Sequence, residues 1–169
     1  MDLEKLSELL RNKKEEVTHN ISFLEAIDHS TDENLISKYL LFLFTHNLSL
    51  INSILRNCYK ERFVDLERLD SGITEYSISE SKRIDLLFEG EDIENQKVLI
   101  VIENKIYSHE HSSQCQKYYA YCSKKYKDYR QYYLFLYPDF NLGNQTLSDK
   151  HFIKITYADL LKALNSLEK

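Results

Sequence analysis

The sequence predicts an α/β fold in which a mixed central β-sheet is flanked by helices. Residues 98–106 begin as a continuous apolar run, which is typical of a strand buried on both faces. Residues 83–88 form a second, mostly apolar segment, and the polar residues between the two segments predict a hairpin. Stretches with helical periodicity precede and follow these strands, and the predicted order is two helices, three strands, a helix, two strands and a final helix.

The first half of the chain is predicted to be mainly helical. Leucines at helical spacing predict a helix over residues 2–27. A capping-box pattern that ends at Glu33 marks the start of a second helix, over residues 32–59. Residues 60–71 are charged and irregular, and the weak alternation of residues 73–78 predicts the first strand.

The second half supplies the crossover helix and the remaining strands. Ser113 with Gln116 is another capping-box pattern, which predicts a helix that continues to about Lys127. Two strands and a terminal helix follow, over residues 131–137, 152–157 and 158–167. Strands joined by a short hairpin should pair antiparallel, whereas the strand after the crossover helix should return parallel to its neighbour.

Composition and length set the broad class of the protein. A chain of 169 residues is long enough for a single domain, with a helical part (1–59), a sheet part (72–157) and a C-terminal helix (158–169). The net charge of −5 means that any contact with nucleic acid needs a local basic patch. The cysteine spacing and the absence of a signal-peptide pattern lead us to expect reduced thiols in a soluble, cytoplasmic protein.

Charged residues lie where the two central strands are predicted to meet. Side chains alternate along a strand, so Glu103 and Lys105 project from the same face. Antiparallel pairing brings Asp85, in the preceding strand, near the Glu103 end. Two carboxylates that converge in this way suit a hard cation such as Mg²⁺ or Mn²⁺. The alternative is a strand that reaches solvent at Glu103, with its charges solvated or paired.

The spacing of these residues matches a known signature. Asp85, followed eighteen residues later by Glu-x-Lys at residues 103–105, resembles the Asp…Glu-x-Lys motif of the PD-(D/E)XK nuclease superfamily. One branch of the superfamily places a Gln-x-x-x-Tyr helix just after the motif, and Gln114 with Tyr118 fits that pattern. Ile84 stands where many members have proline, which makes the match less specific.

The resemblance implies a fold and a reaction. The fold is the αβββαβ restriction-endonuclease-like core, and the reaction is metal-assisted hydrolysis of a phosphodiester bond. Asp85, Glu103 and the backbone carbonyl of Asn104 would hold Mg²⁺, for which Mn²⁺ should substitute. Lys105 would orient the attacking water or stabilise the transition state. Gln114 would position the water or a phosphate oxygen.

The resemblance also suggests an additional ligand and a binding surface. Glu33 lies where related nucleases place a further acidic group on the helix before the sheet, although a capping role explains it equally well. Basic and aromatic residues interleave over residues 117–130, a composition that suits phosphates and stacked bases. The candidates for nucleic-acid contact are Lys117, Tyr118, Lys124 and Lys125. For any single lysine, a solvated helix face is the alternative.

The predicted partner is nucleic acid, DNA in preference to RNA, with no membrane contact. A homodimer would supply two active sites for cutting both strands of a duplex. A second class of function stays open, in which a catalytically silent nuclease-like fold acts as a DNA-binding or protein-interaction subunit.

Overall fold

The computed structural model describes residues 32–139 and 146–167. All of these except Asp32 belong to one compact unit, Glu33–Lys169. The helix predicted over residues 2–27 and the first residue of the capping box before Glu33 lie outside the described part.

A five-stranded sheet forms the centre of this unit. In chain order the strands are β1 (Leu66–Ser79), β2 (Lys82–Asp92), β3 (Lys97–Asn104), β4 (Arg130–Tyr137) and β5 (Phe152–Thr156). The order across the sheet is the same as the order along the chain. Strands β1, β2 and β3 pair antiparallel, whereas β4 runs parallel to both β3 and β5. The predicted mixed sheet is therefore confirmed, including the parallel return after the crossover helix.

Four α-helices accompany the sheet in the described part of the chain. They are α1 (Glu33–His46), α2 (Leu48–Tyr59), α3 (Gln114–Lys125) and α4 (Tyr157–Leu167). The single helix predicted over residues 32–59 is wrong, because the chain breaks at Asn47. There the backbone leaves the helical region, and the side chain of Asn47 accepts a hydrogen bond from the Leu50 amide. An asparagine that caps a new helix in this way stabilises the break.

One nearby residue and one distant residue cap α3. Ser113 has a left-handed backbone conformation and makes no capping bond with its side chain, so the predicted capping box is wrong. Instead, Glu110 accepts a hydrogen bond from the Cys115 amide at 3.0 Å, and Ser148 accepts one from Gln116 at 3.1 Å. These acceptors satisfy amide groups that have no partner within the first turn of a helix.

The first two strands are longer than their patterns indicate. Strand β1 begins at Leu66, inside the segment predicted to be irregular, and β2 continues to Asp92. Gly90 therefore lies within β2, where a Cβ atom would come 2.3 Å from the Arg68 carbonyl oxygen across the pair. The hairpin turn is confined to residues 93–96, with Asn95 in the left-handed region.

The core lies on both faces of β3. Every residue from 98 to 106 is buried, as the apolar run predicts. On one face Leu99 and Val101 pack with buried residues of α3, including Cys115 and Tyr118. On the other side of the sheet, α1 contributes Phe44, whose ring meets Phe88 edge-on with the centroids 6.0 Å apart. None of the described helices is long and apolar enough to cross a bilayer.

Candidate active site

The hairpin brings Asp85 and Glu103 to the same end of β2 and β3. The last registered pair is Leu86 with Ile102, so Asp85 lies across from Glu103 one step further along the ladder. The backbone amide of Asn104 donates to Asp85 Oδ2 at 2.8 Å. This bond holds the Asp85 carboxylate against the segment that carries the motif.

The Lys105 ammonium lies among three carboxylates. Its Nζ is 2.7 Å from Glu103 Oε1, 3.7 Å from Glu33 Oε2 and 3.9 Å from Asp85 Oδ2. Although burial opposes it, the charges of Glu103 and Asp85 raise the pKa of Lys105 above its usual value. Lys105 therefore stays protonated and acts as a fixed positive charge at neutral pH.

Glu103 is the least satisfied group of the cluster. Its side chain is 0% exposed, and neither carboxylate oxygen accepts a well-directed hydrogen bond from any residue that the structure describes. Burial, followed by the charge of Asp85, raises the pKa of Glu103 to about 8. Burial also raises the pKa of Asp85 to about 6, against the opposing effects of Lys105 and the Asn104 amide. Buried carboxylates with raised pKa values mark candidate functional sites.

Comparison with known protein families identifies the family of this chain. The model of the PD-(D/E)XK nuclease superfamily matches residues 8–169, which is most of the chain. The chain belongs to the PD-(D/E)XK nuclease superfamily. No curated protein and no solved structure matches it with statistical significance.

Members of the superfamily generally use divalent metal ions, and the donor set here fits such an ion. Within residues 32–139 and 146–167, no three Asp, Glu, His or Cys side chains form a ready-made metal cluster. The carboxylates of Asp85 and Glu103 supply oxygen donors, and the backbone carbonyl of Asn104 stays a predicted third ligand. Hard cations prefer such ligands, and the Glu103 oxygens accept no well-directed hydrogen bond from the described residues beyond the ion pair with Lys105, so a cation would satisfy them.

Glu33 joins this cluster from α1. Its Oε1 accepts hydrogen bonds from the Ile106 amide and from the Ser108 hydroxyl, each at 2.9 Å. Its Oε2 faces Lys105. The carboxylate thus connects the start of α1 to the loop after β3, and it lies near the two predicted ligands without belonging to their strands.

The side chain of Asn104 lies away from the carboxylates and anchors β3 to two helices. Its Nδ2 donates to Ser37 Oγ of α1 at 3.1 Å, and its Oδ1 accepts from the Tyr157 hydroxyl of α4 at 2.5 Å. The sequence analysis did not find Ser37 or Tyr157. The only signal in the sequence was that a polar residue, Asn104, follows a buried apolar strand and would therefore need hydrogen-bond partners.

Gln114 and Tyr118 form a hydrogen-bonded pair beside the site. Gln114 Nε2 donates to the Tyr118 hydroxyl at 3.1 Å, and that hydroxyl donates to the carbonyl of Arg83. Tyr118 is buried in the core, so no face of its ring is open for a base. Burial and the charge of Glu103 raise its pKa. The structure thus places Tyr118 as a packing residue between α3 and β2, and Gln114 at the surface above it.

The lysines of residues 117–130 do not share one environment. Lys117 donates to the Ser112 carbonyl and lines a cleft of about 350 Å³ beside Gln114, which we call the Lys117 cleft. Lys124 is exposed on α3. The ammonium of Lys125 lies 5.1 to 5.7 Å from the centroids of three tyrosine rings, those of Tyr76, Tyr121 and Tyr126. The lysines of the predicted patch therefore lie in different places. Of Lys117, Lys124 and Lys125, only Lys117 lines the cleft.

Glu75 approaches the site from β1. It lies across from Asp85 between the registered pairs of β1 and β2, and its backbone has a positive φ of 55°. It forms an ion pair with Arg83 at 3.4 Å, and its charge contributes to the raised pKa of Asp85. Positive φ is strained for a residue with a side chain, and such strain is concentrated at functional sites.

Proposed function

We propose that this protein is a metal-dependent nuclease that hydrolyses phosphodiester bonds in DNA, with Mg²⁺ as its usual ion and Mn²⁺ as a substitute. The observation that carries the proposal is the fully buried Glu103 carboxylate, which accepts no well-directed hydrogen bond from the described residues and lies beside Asp85 and Lys105. Burying an unsatisfied carboxylate is costly, so its position makes physical sense where a cation is to be bound.

Asp85, Glu103 and the Asn104 carbonyl are the residues that would hold the ion, and Glu33 is a further acidic group near them. When bound, the ion supplies Lewis-acid chemistry, which activates water and neutralises charge on the phosphate. The hydrogen bond from the Asn104 amide orients the Asp85 carboxylate toward the motif. The anchoring of Asn104 by α1 and α4 keeps the end of β3 in place.

Lys105 would stabilise negative charge on the reacting phosphate. Its raised pKa favours this electrostatic role over that of a general base, since it does not release its proton at neutral pH. The side chain is buried among carboxylates and is therefore held in one place before substrate binds. A charge positioned in advance stabilises a transition state without reorganisation at the moment of reaction.

The Lys117 cleft supports a path for the nucleic-acid backbone. Its lining includes Lys82, Arg83 and Lys117, and none of its lining residues is acidic. Arg83 is two residues from Asp85 in β2, so a strand whose phosphates bind in the cleft would pass close to the carboxylates. The cleft also contains the Gln114 amide, which could bind a phosphate oxygen or a water there.

A cleavage assay tests this function. Purified protein is incubated with end-labelled single-stranded, duplex and branched DNA and with RNA, in Mg²⁺, Mn²⁺ or EDTA. We expect metal-dependent cutting of DNA that falls by at least about a hundredfold in Lys105→Ala. Lys162→Ala, a change of an exposed lysine on α4, is the matched control and should cut like the wild type. Cutting in EDTA, or equal cutting by Lys105→Ala, would contradict the proposal.

One observation favours the alternative of a silent binding subunit. The 2.7 Å ion pair between Lys105 and Glu103 partly neutralises the cluster without any metal. Thermal unfolding with and without Mg²⁺ separates the two functions, because an ion that binds only the folded state raises the midpoint. A rise that Asp85→Asn removes supports the nuclease. No rise in wild type favours the binding subunit.

A further inference from the structure

A second cleft, distinct from the active site, lies at the start of β4. Its volume is about 550 Å³, within the range of small-ligand sites, and we call it the β4 cleft. Strand β5 begins opposite Tyr133, so it leaves the first residues of β4 without a strand on that edge. Tyr59 covers part of this edge, since its hydroxyl accepts from the Tyr133 amide and donates to the Tyr133 carbonyl.

The register of the sheet separates the β4 cleft from the carboxylates. Arg130, which lines the cleft, pairs with Val98 at the start of β3, whereas Phe135 pairs with Glu103 at its end. Five residues of strand correspond to about 16 Å at the usual rise per residue. The β4 cleft and the catalytic cluster therefore lie at opposite ends of the parallel strands.

The lining of the β4 cleft is cationic. Arg62, Lys127, Arg130 and Lys150 contribute the positive charge, and no Asp or Glu of the described residues is part of the lining. Arg130 is neutralised by Asp92 and Glu94, but Lys127 and Lys150 are exposed. On a chain with a net charge of −5, such a one-sided lining attracts an anion.

Aromatic rings line the same cleft. The rings of Tyr119 and His151 are stacked, with centroids 3.8 Å apart and planes 8° from parallel. Tyr129 and Tyr132 also line the cleft, together with the side-chain amide of Gln131. Flat π-faces beside cations suit a ligand that combines a heteroaromatic base with a phosphate. A simple inorganic anion would use only the cations.

We propose that the β4 cleft binds a nucleoside phosphate, with the phosphate held by Lys127 and Lys150 and the base placed against the Tyr119–His151 stack. The ligand chemistry is common to a free mononucleotide and to a terminal nucleotide of a DNA strand. The site is independent of catalysis, so the proposed nuclease function can fail without affecting it.

Isothermal titration calorimetry in EDTA tests the binding without interference from cleavage. The probes are AMP, inorganic phosphate and a 5′-phosphorylated oligothymidine. The variants are the double substitution Lys127→Ala with Lys150→Ala, its charge-preserving counterpart Lys127→Arg with Lys150→Arg, and two controls, Lys162→Ala and Asp85→Asn. Thermal unfolding of each variant checks that the fold is intact.

We expect AMP or the oligonucleotide to bind wild type with a dissociation constant below about 1 mM. The double alanine variant should lose at least about tenfold in affinity, whereas the double arginine variant and both controls should keep it. Binding of AMP identifies a free nucleotide as the ligand, and binding of the oligonucleotide alone identifies a strand terminus. Equal affinity for inorganic phosphate and AMP, no binding, or unchanged affinity in the double alanine variant would overturn the proposal.

Discussion

Asp92 and Glu103 are both fully buried carboxylates of the same sheet, with side chains 0% exposed, but their surroundings differ. Asp92 ends β2 and accepts hydrogen bonds from the amides of Glu94 and Gln96, at 2.9 and 3.0 Å, and from Arg130 at 2.6 Å. Glu103 accepts no well-directed hydrogen bond from the described residues and has only the ion pair with Lys105.

The difference distinguishes a carboxylate with a structural role from a candidate metal ligand. The donors around Asp92 replace the water that it loses on burial, and they close the turn between β2 and β3. Around Glu103 the donors replace less of the water lost on burial, so the pKa of this carboxyl is raised. A bound cation would compensate for the missing donors. Burial of a carboxylate alone therefore does not indicate a site, whereas burial with incomplete hydrogen bonding marks a candidate site.

The largest effect on stability is expected at the structural carboxylate. Asp92→Ala should lower the free energy of unfolding by about 3–5 kcal/mol, because it leaves Arg130 and two turn amides without their acceptor. For a chain of this length that corresponds to a fall of about 10 °C in melting temperature. Glu94→Ala is the matched control, since that carboxylate pairs with the same arginine but is 61% exposed. Its cost should stay below about 1 kcal/mol. Equal losses of unfolding free energy in Asp92→Ala and Glu94→Ala would show that the buried position of Asp92 adds nothing to stability.

The converse result, a loss of activity without a loss of stability, is expected at Glu103. Glu103→Gln should reduce metal-dependent cleavage by about a hundred- to a thousandfold, since it removes a predicted ligand. Its free energy of unfolding at pH 8 should be unchanged or higher, because an unsatisfied buried charge is replaced by a neutral amide. Cleavage rates and urea unfolding measure the two quantities. A variant that keeps its activity but unfolds readily would make Glu103 a structural residue like Asp92.

The pH dependence of stability sharpens the same comparison. The pKa of Asp85 is raised to about 6 and that of Glu103 to about 8, so in the metal-free protein the folded state binds these protons more tightly than the unfolded state. Their contribution to stability is complete below pH 4 and is lost as the pH rises through 6 and then 8. Relative to Asp85→Asn with Glu103→Gln, wild type should lose at least about 3 kcal/mol over this window, which is the amount that the Asp85 shift alone represents at about 1.4 kcal/mol per pKa unit. Thermal melts in EDTA measure the difference, and a constant difference would refute the shifts.

The smallest effect is expected at Tyr157, whose hydroxyl holds the side chain of Asn104 at the end of β3. Tyr157→Phe removes the hydrogen bond to Asn104 Oδ1 and should cost about 1–2 kcal/mol in unfolding free energy. Cleavage should fall by less than tenfold, because the carboxylates themselves are unchanged. Tyr39→Phe is a suitable control, since Tyr39 is 57% exposed. A loss of all activity in Tyr157→Phe would show that the end of β3 depends on this one anchor.

Much of the fold and of the central motif could be predicted from local pattern. The apolar run of residues 98–106 predicts a strand buried on both faces, and the structure confirms it. The short polar connection predicts the antiparallel hairpin, which in turn brings Asp85 near Glu103. The break at Asn47 was missed because the apolar pattern continues through it, and the early start of β1 at Leu66 was missed because its exposed face is charged.

The remaining details depended on residues far away in sequence. Ser148 caps α3 by accepting from the Gln116 amide, 32 residues away along the chain. Ser37 and Tyr157 bind Asn104 across 67 and 53 residues of chain. No periodicity or short motif links such pairs, because their contact follows from how the helices pack on the sheet.

The sequence by itself determined that Glu103 and Lys105 share a face and that Asp85 lies near them, because the alternation of a strand and the short reach of a hairpin are local properties. It also determined membership of the superfamily. Only the tertiary structure decided which buried carboxylate is satisfied and which is not. That outcome depends on which donors α1, α3, α4 and the turns bring to each group, and donors from distant segments meet a carboxylate only after the chain has packed.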